Sequence, residues 1–177
     1  MERLRNRRTA VLLTIVVAVL ATLVGVHRSV ARASGDVEQL FYDGVYLESE
    51  GYTQQSINSQ IEKMVSSALN MATLLQNNPA LTNEVSAVIQ ARRLLYEAHS
   101  ISDKSRVVAD LKNAVSRLVA AASGMPEFSE PDWRTFEGAS DFIDNTLAPA
   151  YNSKVDGFFQ EQSFIAALIG RAAPEYY

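Results

Sequence analysis

The chain opens with a solid apolar block and continues with apolar residues spaced three and four apart. Thr9 to Val26 reads TAVLLTIVVAVLATLVGV, 18 residues without a charge. At about 1.5 Å per residue, a helix of that length covers most of a hydrocarbon core about 30 Å thick. From Asp36 to about Glu50, Val37, Leu40, Phe41, Val45 and Tyr46 recur loosely at helical spacing. Gly35 is the strong breaker between that segment and the block, so the two are read either as separate helices or as one.

The next segments are clearer. Ile57, Ile61, Met64, Val65, Ala68, Leu69, Ala72 and Leu75 form one apolar stripe, ended by Asn77-Asn78-Pro79. A further helix is predicted from Ala80 to His99, with Leu81, Val85, Val88, Ile89, Arg92 and Leu95 on one face. Another runs from about Asp103 to Ser123, striped by Val107, Val108, Leu111, Ala114, Val115, Leu118, Val119 and Ala122. Gly124 and Pro126 are stop signals after it. The last long helix should start near Pro131 behind Ser129 or Glu130. Trp133, Phe136, Ser140, Ile143, Leu147, Ala150 and Lys154 then give a near-heptad seam, with a kink expected at Pro149. No alternating strand pattern is present. The fold class expected is all-α: an N-terminal transmembrane helix followed by an antiparallel up-and-down bundle of about four long helices. The divisions are a basic N-terminus (1–8), the membrane helix (9–26), a juxtamembrane linker (27–35) and an extracytoplasmic helical domain (36–177).

Charge adds an orientation. Arg3, Arg5, Arg7 and Arg8 precede the apolar block against Glu2, and Arg28 and Arg32 follow it. The positive-inside rule puts the N-terminus in the cytoplasm and the domain outside, in a cell membrane crossed once. A cleaved signal peptide is the rival, since Ala31-Arg32-Ala33 has the small-x-small pattern of a cleavage site. The apolar run exceeds the roughly 7–15 residues of a signal core, so a retained anchor is expected. From Ser34 onward 10 Lys and Arg face 19 Asp and Glu. Such an acidic domain is a poor binder of nucleic acid or anionic lipid, so no nucleic-acid partner is expected. The 177 residues contain no cysteine, which removes disulfides, thiolate metal sites and Cys nucleophiles.

Candidate chemistry is sparse. His27 should lie at the headgroups, and His99 at a helix end where the dipole favours a cation. A Ser-His-Asp triad would need one of these two, and no Gly-x-Ser-x-Gly elbow exists. Glu97 and His99 are two apart, which is not a zinc spacing on a helix. Glu127, Glu130, Asp132, Glu137, Asp141 and Asp144 are numerous, and Glu137, Asp141 and Asp144 share a helix face. They read as a solvated face, because no Asp-x-Asp-x-Asp-Gly loop accompanies them. A closed helical bundle also offers no cleft for a carboxylate pair to act as a glycosidase. No catalytic, cofactor-binding or metal residue is therefore assigned. The apolar tail, with Phe164, Ile165, Leu168 and Ile169, can pack on the bundle, lie on the membrane or meet a partner; packing is expected.

Several short motifs resemble one family. Ile57-Asn58-Ser59-Gln60-Ile61-Glu62-Lys63, followed by Asn70, is similar to the second-helix pattern of the LemA family, Ile-Asp-Val-Gln-Leu-Lys-Arg and an Asn seven residues on. Ala91-Arg92 sits where that family has an Ala-Arg pair. Tyr151-Asn152, Val155, Phe158-Phe159, Leu168, Gly170 and Tyr176 resemble its closing segment. Asn58 stands for the family's Asp, Met64 for its second basic residue, Ser66 and Leu69 for an Asp and a Pro, and Gln160 for a Pro. The resemblance implies a membrane-anchored antiparallel bundle of bacteria or archaea without established enzymatic activity, in a family associated with envelope and membrane-organelle organisation. The function expected is a non-catalytic scaffold or interaction module with envelope partners or a homo-oligomer. The alternative is an extracytoplasmic ligand-sensing bundle that signals through a partner protein.

Overall fold

The computed structural model describes the backbone of residues 7–44, 46–47, 51–53, 55–169 and 173–177, and the side chains of all these except 7–8, 46–47, 52–53 and 162–169. The basic residues Arg3 and Arg5, the side chains of Arg7 and Arg8, and the tail side chains of Phe164, Ile165, Leu168 and Ile169 lie outside it. The described fold is helical: α1 Arg7–Asp43, α2 Ile57–Leu75, α3 Thr82–Glu97, α4 Ile101–Ala122, α5 Glu130–Phe142 and α6 Ala148–Ile169. A two-residue antiparallel ladder, Tyr46–Leu47 with Tyr52–Thr53, closes the α1–α2 connection. A pairing that short leaves no alternation to read in a sequence.

Helix α1 is one unbroken element of 37 residues. It runs straight through 27–35, and Gly35 is an exposed residue inside it. Its first half stands clear of the protein: every large apolar side chain from Val11 to Val24 is more than half exposed. Each such side chain gains about 1.5–3 kcal/mol on leaving water, so in water this stretch would be strongly unfavourable. The Thr14 and Thr22 hydroxyls donate to the carbonyls of Ala10 and Ala18, which satisfies the only polar side chains of that stretch internally. The helix is long and apolar enough to cross a membrane. The second half is a core helix, with Val30 and Phe41 at 1% and 0% exposure. α1 ends at Asp43, before the predicted Glu50. Gly44 takes φ +92° there and donates its N–H to the Leu40 carbonyl at 3.0 Å, the left-handed helix stop that glycine adopts without strain.

The other boundaries follow local capping chemistry. The hydroxyls of Ser56, Ser100 and Ser129 accept from the backbone N–H groups of Ser59, Asp103 and Asp132, opening α2, α4 and α5. Asn78 caps the short 3-10 turn Pro79–Leu81 that leads into α3. Gly124 (φ +92°) stops α4. In the core, α2 packs on α5 and α3, α3 on α4, and α6 along the second half of α1. The stripes of α2 and α4 are buried as expected, apart from half-buried Leu69 and Val119. The α3 stripe is corrected: Ala91 is buried, Ile89 is 49% exposed and Arg92 is exposed.

The largest correction is in the last helix. Ahead of Pro149, where a kink was expected, the helix forms a π turn over Ile143–Leu147, in which the Ala148 N–H reaches back to the Ile143 carbonyl. Proline has no N–H and crowds the carbonyl four residues earlier, here that of Asn145. Widening the preceding turn relieves both. The extra residue also resets the register. At about 100° per residue, the twelve residues from Ile143 to Val155 would leave the stripe by about 120°; one inserted residue removes about 100° of that. The buried set is therefore Phe136, Ala139, Ile143, Leu147, Tyr151, Val155 and Phe158. Ser140 and Ala150 are only half-buried and Lys154 is exposed. This register is testable: Val155→Asp should cost several kcal/mol, on the order of 3 or more, whereas Lys154→Asp should stay within about 0.5 kcal/mol. Urea unfolding of the two variants measures both; an unbroken α-helical seam requires the reverse order.

Candidate functional site

Two places gather polar and aromatic side chains on this scaffold. The first is the joint where α1 enters the core. Phe41 meets Tyr151 at 6.0 Å and Tyr177 at 5.8 Å between ring centres. Residues 173–177 return along α6 and are tied down closely. The Tyr151 hydroxyl donates to the Glu175 carbonyl at 2.8 Å. The Asn152 side chain both donates to Tyr177 O and accepts from its N–H. Tyr176 donates to Asp156 and stacks on Phe159, and Glu175 accepts from the Ser102 N–H in the first turn of α4. Residues 173–177 thus pack on the domain, while the apolar side chains for which packing was expected, Phe164, Ile165, Leu168 and Ile169, lie outside the described residues. Most of the closing-segment residues quoted for the resemblance (Tyr151, Asn152, Val155, Phe158, Phe159 and Tyr176) converge here or beside it.

The second place is a groove of about 560 Å³ between α2, α3 and the start of α4. Its floor is apolar: Ile61, Val65, Leu69 and Leu95. Its rim is polar: Asn58 and Glu62 from α2, Arg92 from α3 and Lys104 from α4. Asn58 bridges the rim, its Nδ2 donating to Glu62 at 3.0 Å while its Oδ1 accepts from Lys104 Nζ at 3.1 Å. The Lys104 ammonium also lies over the rings of Tyr42 (4.9 Å) and Phe41 (5.5 Å), so one side chain touches both the groove and the joint. Burial holds its pKa below the ordinary lysine range, and Glu62 partly restores it. Arg92 stacks over Tyr96 at 5.3 Å. Asn58, Ile61, Glu62 and Arg92, all quoted for the resemblance, line this groove. Asn70 points elsewhere, to Asp132 at 3.1 Å.

The residues weighed for chemistry are scattered. His27 is exposed on α1, and His99 is exposed in the α3–α4 connection. Glu97 pairs with Arg93 and Glu130 with Arg134, both exposed surface pairs worth little. Asp132 takes part in the α5 cap. Glu137 and Asp141 are exposed, and Asp144 is bound by Lys112 at 2.7 Å. Among the described residues no three His, Asp or Glu side chains come together. Lys104 was missed by sequence reasoning: it sits on the polar side of its stripe, and only the fold brings it to Asn58 and Phe41. Compared with family models, curated proteins and solved structures, the chain matches none of them.

The joint titrates at high pH. Burial, reinforced by the charges of Glu38 and Glu175, pushes the Tyr151 hydroxyl well above its ordinary value, and burial together with Asp144 does the same to Tyr177. A raised acid keeps its proton in the folded state after the unfolded chain has lost it. The stabilisation is thus complete below the unfolded value of 10.0 and is lost as pH climbs above it. Melting temperature should fall steeply between about pH 10 and 11, and Tyr151→Phe should flatten that fall; equal slopes would refute the assignment. The Tyr177 hydroxyl is buried and lacks a partner among the described residues. Tyr177→Phe should therefore be neutral or stabilising by about 1 kcal/mol, measured by chemical denaturation.

Proposed function

We propose that this chain is a non-catalytic, membrane-anchored helical domain that acts as a scaffold or interaction module in a bacterial cell envelope, as a divergent member of the LemA family. The observation that carries the reading is α1 itself. One continuous helix has a first half whose apolar side chains face outward and a second half built into the core. A soluble protein would bury that first half; a lipid bilayer accommodates it as it stands. With no break between them, the anchor holds the domain at a fixed attitude to the membrane, which suits a surface presented to neighbours. Charge supports the orientation, with four arginines before the span and the acidic domain after it. The cross-helix bonds Asn70–Asp132 and Lys104–Asn58 support reading the domain as an antiparallel up-and-down bundle. Envelope partners or further copies of the chain are the binding partners.

A second reading, a ligand-sensing bundle that signals through a partner, is favoured by the groove and by its shared contact with α1 through Lys104.

The absence of native cysteine allows a direct test of topology. Gln90→Cys, exposed on α3, should react with a membrane-impermeant maleimide in intact cells, and Asn6→Cys only after lysis. The opposite pattern would reverse the orientation. Crosslinking the full-length protein in its native membrane should then recover a reproducible envelope partner or a homo-oligomer. Recovery of monomer alone would refute the scaffold reading.

A further inference from the structure

The scaffold reading leaves the α2–α3–α4 groove unused, although its chemistry is specific. Its volume lies within the range of about 300–1,000 Å³ typical of small-molecule sites. Its floor is aliphatic, with Ile61, Val65 and Leu95 already packed into the core at 3%, 7% and 8% exposure. Two cations reach its rim from different helices, in a domain where acids outnumber bases 19 to 10 from Ser34 onward. Among the described residues neither Arg92 nor Lys104 has a carboxylate within 4.0 Å; Lys63, Arg117 and Lys154 lack one too, but only Arg92 and Lys104 line this groove. Lys104 is also held in the first turn of α4, the helix end at which a cation is disfavoured. Asn58 and two aromatic faces keep it there.

We propose that this groove binds a small amphipathic organic monoanion, its apolar body on Ile61, Val65, Leu69 and Leu95 and its acidic group held by Lys104 and Arg92. The proposal rests on the ligand-sensing reading and names its ligand class. An apolar floor disfavours a bare inorganic anion, which would lose hydration without compensating contacts. Glu62, tied to Asn58 on the same rim, sets the balance at two positive charges against one negative. A single negative charge on the ligand completes that balance, and a second would meet Glu62 repulsion.

The test is isothermal titration of the full chain in nanodiscs with 2-naphthoate, its neutral counterpart 2-naphthamide, and empty nanodiscs as the blank. Naphthoate should saturate with one site per chain. Naphthamide should bind at least about tenfold more weakly, since a charge-assisted contact is worth at least that factor. Lys104→Gln and Arg92→Gln should each weaken naphthoate by about tenfold and naphthamide by less than about threefold. Arg92 is exposed and, among the described residues, stacks on Tyr96 alone, so its variant keeps the test valid if Lys104→Gln fails to fold. Equal affinity for acid and amide, or naphthoate binding unchanged in Arg92→Gln, overturns the anion assignment while leaving the groove a site for neutral apolar molecules. Saturation by neither probe overturns both this proposal and the ligand-sensing reading.

Discussion

Phe41 is the contact on which the relation between the apolar helix and the rest of the protein depends. It is fully buried at the point where α1, the start of α4, α6 and residues 173–177 meet. Three aromatic rings and one ammonium group lie within 6.0 Å of its ring centre. Burying one such ring is worth about 1.5–3 kcal/mol by transfer alone, and aromatic pairs add about 0.5–1.5 kcal/mol each. A domain of this size is stable by roughly 5–15 kcal/mol in total, so this joint is a sizeable part of what holds it. It also lies three residues before Gly44, where α1 must stop. The helix is thus pinned where it ends, by contacts from α4, α6 and residues 173–177.

Much of the fold was legible in the sequence because burial and helical period agree over long stretches. The stripes of α2 and α4 contain almost no residue whose polarity contradicts its place, so composition and spacing suffice. Reading failed where one residue changes the period or where a side chain plays two parts. The last helix is the clearest case. Ser140, Ala150 and Lys154 fit an even seam better than Tyr151 and Val155 do, until the π turn ahead of Pro149 is counted. Proline announces that something must change; whether the chain bends or widens its turn is decided by what the new register can bury. Here widening brings Tyr151 and Val155 inward, both at 1% exposure or less. Ile89 is a separate miss. It is apolar, but on α3 the buried face runs through Val85, Val88, Ala91 and Leu95, and Ile89 is left at 49% exposure.

The candidate site was less legible than the fold, for a physical reason. Its residues come from three helices, and none is unusual on its own helix. Lys104 reads as a polar residue on a polar face. Its significance arises only because α4 starts beside Phe41 and Asn58, which are 63 and 46 residues away in sequence. Asn58, Glu62 and Arg92 all line the groove, but they are contributed by two different helices and form no contiguous motif. Their joint chemistry is read from the geometry alone.

Lys104 gives a bound on what the groove can do to the anchor. The ammonium divides its interactions between Asn58, on the groove side, and the rings of Phe41 and Tyr42, on the joint side. A cation–π contact at a partly exposed site is worth about 0.5–1 kcal/mol, and a charge-assisted hydrogen bond about 1.5–3 kcal/mol. The two ring contacts together are worth about 1–2 kcal/mol, so an anion in the groove outcompetes them by only about 0.5–1 kcal/mol. Driving a two-state element from almost wholly one form to almost wholly the other takes about 5.5 kcal/mol. One lysine cannot supply that. Occupying the groove would loosen the grip on the last turn of α1 by a factor of about ten without releasing it, because Tyr151, Tyr177 and the α6 contacts remain. The joint itself, built on Phe41, Tyr151 and Tyr177, does not depend on what fills the groove.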